Sequence, residues 1–332
     1  MSTPQPLFIV GSGRSGTTIA AALLNLLPGL FISKETGFLG AKQCELVWHR
    51  KSDNFESMIP EVNIWLAAND WQQQATAAGL QEFCDRHQLS GARGLLHYVW
   101  QLESETPWDQ LTMVGDNTPL YVMAIPAVLE LFPDAKFIHM VRDPRDVVCS
   151  MLNMRFGACE AVTAAMEWHQ TLGCWLLAER LIPESQRLEC RYEDLCTSPE
   201  ATFARVASFA GATAEAAGEA IRLHAAGGRK PKGFEAVAQR SHHRRLAEPL
   251  SPVRVGRFRK DLSKKQIRQV ESIAQYGMQA YGYALDTRSL HPLIIEDRLS
   301  LLKASVHDLL NRMRQRLWGR QGWWPSGRGR SG

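Results

Sequence analysis

The stretch that most constrains this chain lies near its start. Leu7-Phe8-Ile9-Val10 is a short run of apolar, strand-favouring residues. Gly11-Ser12-Gly13-Arg14-Ser15-Gly16-Thr17-Thr18 follows at once, and an apolar helical stretch runs from Thr17 to Leu27. A strand, a glycine-rich turn and a helix in immediate succession specify an α/β unit. The backbone N–H groups of such a turn, with the helix N-terminus behind them, form a site for a phosphate-like anion. The spacing of Gly11 and Gly16 matches a nucleoside-triphosphate P-loop, yet Thr17 stands where the P-loop lysine belongs. The cation is inside the loop, at Arg14. A dinucleotide reading of Gly11, Gly13 and Gly16 fits by half, because Glu35 alone stands near the place of the acidic partner.

Further strand and helix signals extend this unit. Leu30-Phe31-Ile32 is a candidate second strand. Lys136 to Val141 is another apolar run, closed by Arg142-Asp143-Pro144-Arg145, with Pro144 suited to the first turn of a helix reaching about Met154. Leu188 to Tyr192 forms a further strand, with a helix after Pro199. Ser263 and Gln266 make a capping box for a helix that uses Ile267, Val270, Ile273 and Tyr281. The alternation specifies an α/β fold with a central, mostly parallel sheet flanked by helices. The span from Lys42 to Leu111 is helical. Its Trp48, Trp65, Trp71, Trp100 and Trp108 are assigned to core packing, with stacking on a sugar as the alternative.

Charge is unevenly placed. The formal net charge is +4, yet residues 227–260 hold ten Lys/Arg against two Asp/Glu, and residues 289–332 hold eight against three. Two basic segments therefore sit on an acidic body, which suits a polyanionic ligand. Residues 227–256 read as a long loop. Ile295, Leu299, Leu302, Val306, Leu309 and Met313 fall on one stripe of a C-terminal helix. These shifts divide the chain into a main domain over 1–288, an amphipathic helical extension over 289–320 and a disordered basic tail over 321–332. The extension is expected to dock on the core, to make a homodimer contact or to touch a membrane surface through its cations and tryptophans. Seven cysteines without a C-x-x-C pair read as reduced thiols rather than a disulfide frame or zinc site. The first cation is Arg14, and the early uncharged stretch is too polar to span a bilayer, so a cytoplasmic protein is expected.

The motifs now support a resemblance. Gly11 to Thr18 resembles the 5′-phosphosulfate loop of sulfotransferases that use 3′-phosphoadenosine 5′-phosphosulfate (PAPS). Phe137 to Ser150 resembles that family's 3′-phosphate motif, with Arg142 and Ser150 on its two ligands. Arg191-Tyr192-Glu193-Asp194-Leu195 is similar to its "YEDL" strand end, and Val255 to Lys260 to its late glycine-basic segment. The resemblance runs over about residues 7 to 284, in family order. It implies a P-loop-like three-layer sandwich and transfer of a sulfuryl group to a hydroxyl of a carbohydrate, lipid or small metabolite. It also implies a nucleotide site made of Gly13, Arg14, Ser15, Gly16, Thr17, Thr18, Arg142, Ser150, Tyr192, Arg257 and Lys260, with Arg259 close behind. No metal and no nucleic acid are expected.

Two catalytic assignments follow. Arg14 would stabilise the leaving oxygen, and Glu35 would take the acceptor's proton. Glu35 occupies a place similar to that of the catalytic glutamate in carbohydrate and tyrosylprotein sulfotransferases; its alternative role is a helix-start glutamate. His139 is the second candidate base, although a histidine in a buried strand is more often part of the core. His97, His169, His242 and His243 rank lower. Asp116-Asn117-Thr118-Pro119 departs from the Asp-Lys-Thr-Pro common in related bacterial and carbohydrate enzymes, with Asn117 in the lysine's place. The competing readings are a P-loop kinase with a displaced lysine and a nucleotide-binding scaffold without catalysis. Thr17 argues against the first, and Asn117 is the support for the second.

Overall fold

A computed structural model describes residues 3–38, 59–68, 73–153, 160–226 and 249–287. Five strands form one parallel sheet: β1 (Gln5–Gly11), β2 (Leu30–Ser33), β3 (Met113–Asp116), β4 (Lys136–Val141) and β5 (Arg187–Arg191), in the order β2-β3-β1-β4-β5. Side chains along β1 alternate between the two faces. Leu7 and Ile9 join a core with α1 (Thr17–Leu24), α9 (Pro199–Phe209) and α10 (Ala214–Ala225). Phe8 and Val10 face the other layer, built from α2 (Ile59–Ala68), α3 (Ala77–His87), α4 (Gly91–Glu103), α5 (Ile125–Leu131) and the end of α7 (Ala161–Ala178). Phe8 lies within ring contact of Trp100, Tyr121, Phe132 and Phe137, at centroid distances of 5.7–6.1 Å. A third core packs α6 (Pro144–Leu152) and α7 against α12 (Lys264–Ala280). The parallel sheet flanked by helices is what the alternation specifies, and the layers on its two faces are the three-layer sandwich that the resemblance implies.

The sheet order also places a crevice. The chain leaves β1 toward α1 on one face and leaves β3 toward a 3₁₀ turn (Pro119–Ala124) and α5 on the other. Neighbouring parallel strands whose connections part in this way open a cleft at their carboxyl ends, where α/β folds bind ligands. The glycine loop borders it on one side and Asp116-Asn117-Thr118 on the other.

Several expectations are refined. β3 was not foreseen: it is four residues long and carries Gly115. The helix after the glycine loop stops at Leu24, and Asn25 then brackets β2, donating to the Ile32 carbonyl at 2.8 Å and accepting its N–H at 2.6 Å. The helix from Pro144 ends at Leu152, and Thr118-Pro119 opens a 3₁₀ turn before the α-helix begins. The capping box is present, with Gln266 N–H donating to Ser263 Oγ and Ser263 N–H to Gln266 Oε1. Trp100 and Trp108 are buried and Trp65 packs on the same core, as the packing assignment requires. Cys84, Cys149, Cys174, Cys190 and Cys196 are free. The C-terminal stripe and tail, Trp48, Trp71, Cys44, Cys159, His242, His243 and residues 227–248 of the long loop lie outside the described residues. Among the described residues no helix is long and apolar enough to cross a membrane.

Gly115 is the tightest point of the sheet. A Cβ there would stand 1.6 Å from the Leu7 carbonyl oxygen, a backbone atom that cannot move without parting β1 from β3. Gly115→Ala is expected to cost about 3 kcal/mol or more, read from the urea midpoint. Gly173 in α7 has nothing within 4 Å of its Cβ position, so Gly173→Ala is expected to gain about 0.5–1 kcal/mol in the same assay.

Candidate active site

The glycine loop is shaped by its backbone. Gly16, the N-cap of α1, has φ 99°, and Arg14 has φ 69°, so two of three consecutive residues have positive φ. Ser15 N–H donates to the Ser12 carbonyl at 3.2 Å. No side chain caps α1 and no acidic residue stands in its first turn, so the helix presents its N-terminal N–H groups and positive dipole end to the crevice. Thr17 and Ser15 are buried, Thr18 and Gly13 half-buried, and the Ser15 hydroxyl has no hydrogen-bond partner.

Three distant segments converge on this loop. Arg14 Nε donates to Ser150 Oγ at 3.1 Å, across 136 positions of sequence. Arg142 Nη1 donates to the Arg14 carbonyl and Nη2 to the Arg254 carbonyl, both at 3.2 Å. The Arg142 guanidinium lies over the Tyr192 ring at 4.2 Å, while its Nε is buried without a partner. Tyr192 also packs directly under Gly16, where an added Cβ would approach the ring to 2.6 Å. Arg14, Ser150, Arg142 and Tyr192 therefore form one contiguous cluster around the loop.

The electrostatics of the cluster are strained toward an anion. Burial lowers the Arg14 pKa first and the nearby charge of Arg142 lowers it further; Glu35 opposes both, and Arg254 adds a smaller repulsion. Among the described residues Arg142 makes no direct ion pair, although the charges of Asp146 and Glu193 act on it. Asp143 is taken by Arg145, with N···O distances of 2.7 and 3.0 Å. Asp146 accepts the backbone N–H groups of Gly256 and Phe258 at 2.7 and 2.9 Å. Arg145 also binds Glu271, so it serves the scaffold.

The basic segment is placed differently from its sequence reading. Arg257, the N-cap of the short helix α11 (Phe258–Asp261), pairs with Asp261 at its end. Arg259 lies on the Phe258 ring and reaches Asp286 at 3.3 Å, and Lys260 is exposed. The residue whose charge bears on Arg14 and Tyr192 is Arg254, which sequence reasoning did not single out. The Asp146 clamp on Gly256 and Phe258 turns this stretch back toward Arg142. No local pattern marks that turn; the signal is a long-range pair of backbone hydrogen bonds.

Glu35 stands just beyond β2, exposed, with its charge felt by Arg14. No helix begins at Glu35; the backbone from Lys34 to Gly37 is irregular. Its carbonyl accepts the Trp65 indole N–H at 3.2 Å. Thr36 donates to Asp116 Oδ2 and lies 2.7 Å from the Tyr121 hydroxyl. Asn117 is buried, and its side-chain oxygen has no partner. The alternative bases fare less well. His139 is stacked on Trp175 at 4.4 Å and bonded to Glu189, a core position. His97 is buried among aromatic rings and pushed down to about 4 by desolvation, and His169 is exposed on α7.

A family model described as "Sulfotransferase family" matches residues 6–216. A putative protein-tyrosine sulfotransferase of Caenorhabditis briggsae is 23% identical over 211 residues, spanning 62% of this chain and 65% of that protein. The omega-hydroxy-beta-dihydromenaquinone-9 sulfotransferase Stf3 of Mycobacterium tuberculosis is 27% identical over 247 residues, spanning 60% of this chain and 61% of its own. The chain thus spans less than two thirds of the length of the curated relatives it matches. Among solved structures, the sulfotransferase domain of the Synechococcus PCC 7002 olefin synthase shares the fold with a TM-score of 0.52 at 20% identity, covering 82% of this chain and 96% of that domain. The sulfotransferase domain of the curacin biosynthetic pathway gives 0.51 at 17% identity, covering 86% and 100%. The matched span holds the glycine loop, Glu35, Arg142, Ser150 and Tyr192, and with it the chain belongs to the sulfotransferase family.

Proposed function

We propose that this chain transfers the sulfuryl group of PAPS to an acceptor hydroxyl. The observation that carries the reading is the union of Arg14, Ser150 and Arg142, drawn from three segments into one cationic cluster beside an uncapped helix N-terminus. PAPS carries anionic groups at two places on one ribose and needs two anion sites. The buried, partnerless Arg142 Nε and Ser15 hydroxyl suit such a ligand. The relatives' names span a hydroxylated menaquinone and protein tyrosine, so their shared chemistry is transfer to a hydroxyl.

Each residue then has a task. The loop N–H groups from Gly13 to Gly16, with the hydroxyls of Ser15, Thr17 and Thr18, hold the 5′ end. Ser150 accepts from Arg14, which leaves its own proton to donate to the 3′-phosphate, and Arg142 adds charge there. Tyr192 supports both Arg142 and Gly16 from below. PAPS, when bound, supplies the activated sulfuryl group. Arg14 neutralises charge gathering on the leaving oxygen, and Glu35, exposed at the crevice, takes the acceptor's proton. Arg254 joins the cationic wall, whereas Arg257, Arg259 and Lys260 make a secondary contribution. The kinase alternative is disfavoured by Thr17 and by Arg142 at a position where a carboxylate would hold magnesium.

Two experiments test this. In calorimetric titration with adenosine 3′,5′-bisphosphate, Arg142→Ala and Ser150→Ala should each weaken binding about 10-fold or more, because each removes a charge-assisted contact. ATP with magnesium binding in place of the bisphosphate overturns the assignment. With PAPS and water or an added alcohol as acceptor, Glu35→Gln should slow bisphosphate release about 100-fold while leaving bisphosphate affinity within about twofold.

A further inference from the structure

The segment carrying Glu35 is held by a buried carboxylate that no step above uses. Asp116 ends β3 and is 0% exposed. Its Oδ2 accepts the Thr36 hydroxyl, and its Oδ1 accepts the Thr118 N–H and hydroxyl at 2.7 and 2.6 Å. With its proton directed to Asp116, the Thr36 oxygen accepts the Tyr121 hydroxyl at 2.7 Å. The Thr118 oxygen in turn accepts the Gly37 N–H at 3.2 Å. Trp65 holds the Glu35 carbonyl from α2. Three consecutive residues, 35 to 37, are thus fixed by bonds to other elements, and only the Glu35 side chain is left exposed.

A buried carboxylate is an expensive way to fill space. Desolvation pushes Asp116 up to about 6, and its hydrogen bonds from Thr118 and Thr36 only partly offset that. An amide or an apolar residue would pack there at lower cost. What the carboxylate adds is acceptor capacity: it takes three donor groups, all from Thr36 and Thr118, the residues that hold the Glu35 segment. Asn117, between them in sequence, is outside this frame, since its side-chain oxygen bonds none of these groups.

We propose that Asp116 is a positioning residue, which through Thr36 and Thr118 fixes the backbone of residues 35–37 and so aims Glu35 at the crevice beside Arg14. This rests on the reading of Glu35 as the base. The first and third residues of Asp116-Asn117-Thr118 hold the base, and the middle one is free of that duty. The substitution of a lysine by Asn117 therefore leaves the aim of Glu35 intact.

The test is a double-mutant cycle on the full chain. Turnover is read as bisphosphate release from PAPS with water as acceptor, and affinity as calorimetric binding of adenosine 3′,5′-bisphosphate. Asp116→Asn is expected to slow turnover about 10-fold, with affinity changed less than about twofold, because a displaced base loses rate and not ground-state binding. The double variant with Glu35→Gln should be no slower than Glu35→Gln alone. Hydrogen exchange should quicken in the peptide spanning 34–38 and stay unchanged in the glycine loop. Tyr121→Phe removes one hydroxyl from the same chain and should act in the same direction by about threefold, which keeps the test available if Asp116→Asn does not fold. Multiplicative losses in the double variant, or a turnover loss that tracks bisphosphate affinity, overturn the proposal. If Glu35→Gln leaves turnover unchanged, the base reading fails by itself. Exchange in 34–38 then decides the frame: quickened exchange keeps it, and unchanged exchange overturns it.

Discussion

The structure turns on the placement of Arg142. Its two terminal nitrogens grip the carbonyls of Arg14 and Arg254, residues 128 and 112 positions away, and its face rests on Tyr192. One side chain thereby joins the glycine loop, the β4–α6 junction, the start of α8 (Tyr192–Thr197) and the Arg254 turn. It does so with the wrong charge for a purely structural clasp. Arg14 and Arg254 are cations too, and collecting them in a partly buried place costs stability. The neighbouring acids relieve it only in part: Glu35 acts on Arg14, and Asp146 and Glu193 act on Arg142, but most of their hydrogen bonds go elsewhere. Asp143 serves Arg145, Asp146 holds two backbone N–H groups, and Glu193 accepts the Asp143 N–H and the Tyr283 hydroxyl. An anionic ligand of the kind proposed would add counter-charge to this cluster.

Sheet order makes that clasp possible. β1 and β4 are neighbours, so the loop after β1 and the helix after β4 emerge side by side, and Arg14 meets Ser150. β3 lies on the other flank of β1, which brings Asp116 and, one strand further, Glu35 to the same end of the sheet. Cationic and acidic halves of the site therefore stand on opposite sides of one central strand.

Much of this was legible from the residues. The glycine loop, Arg142 and Tyr192 sit at strand–helix junctions marked by short apolar runs, and Ser150 lies two turns into the helix that Pro144 opens. Their convergence follows once the strands are parallel. Glu35 was legible as a candidate but not its setting, because the bonds from Thr36, Thr118, Tyr121 and Trp65 join residues 30 to 85 positions apart and leave no local pattern. β3 escaped notice because four residues with an internal glycine carry too little strand signal. Arg254 escaped because its position depends on Asp146 capturing the backbone beyond it, while Arg257, the more conspicuous cation, spends its charge on Asp261 four residues later.

The reach of Arg142 also bears on how the molecule comes into being. Parallel pairing and contacts across more than a hundred residues are formed late in folding, since loop-closure entropy must be met before they add stability. During synthesis β1, α1 and β2 emerge well before β4. The carbonyl that takes the second Arg142 N–H is made only when translation reaches Arg254. A nascent chain therefore carries its glycine loop without a finished site around it until Arg254 has been made and can meet Arg142.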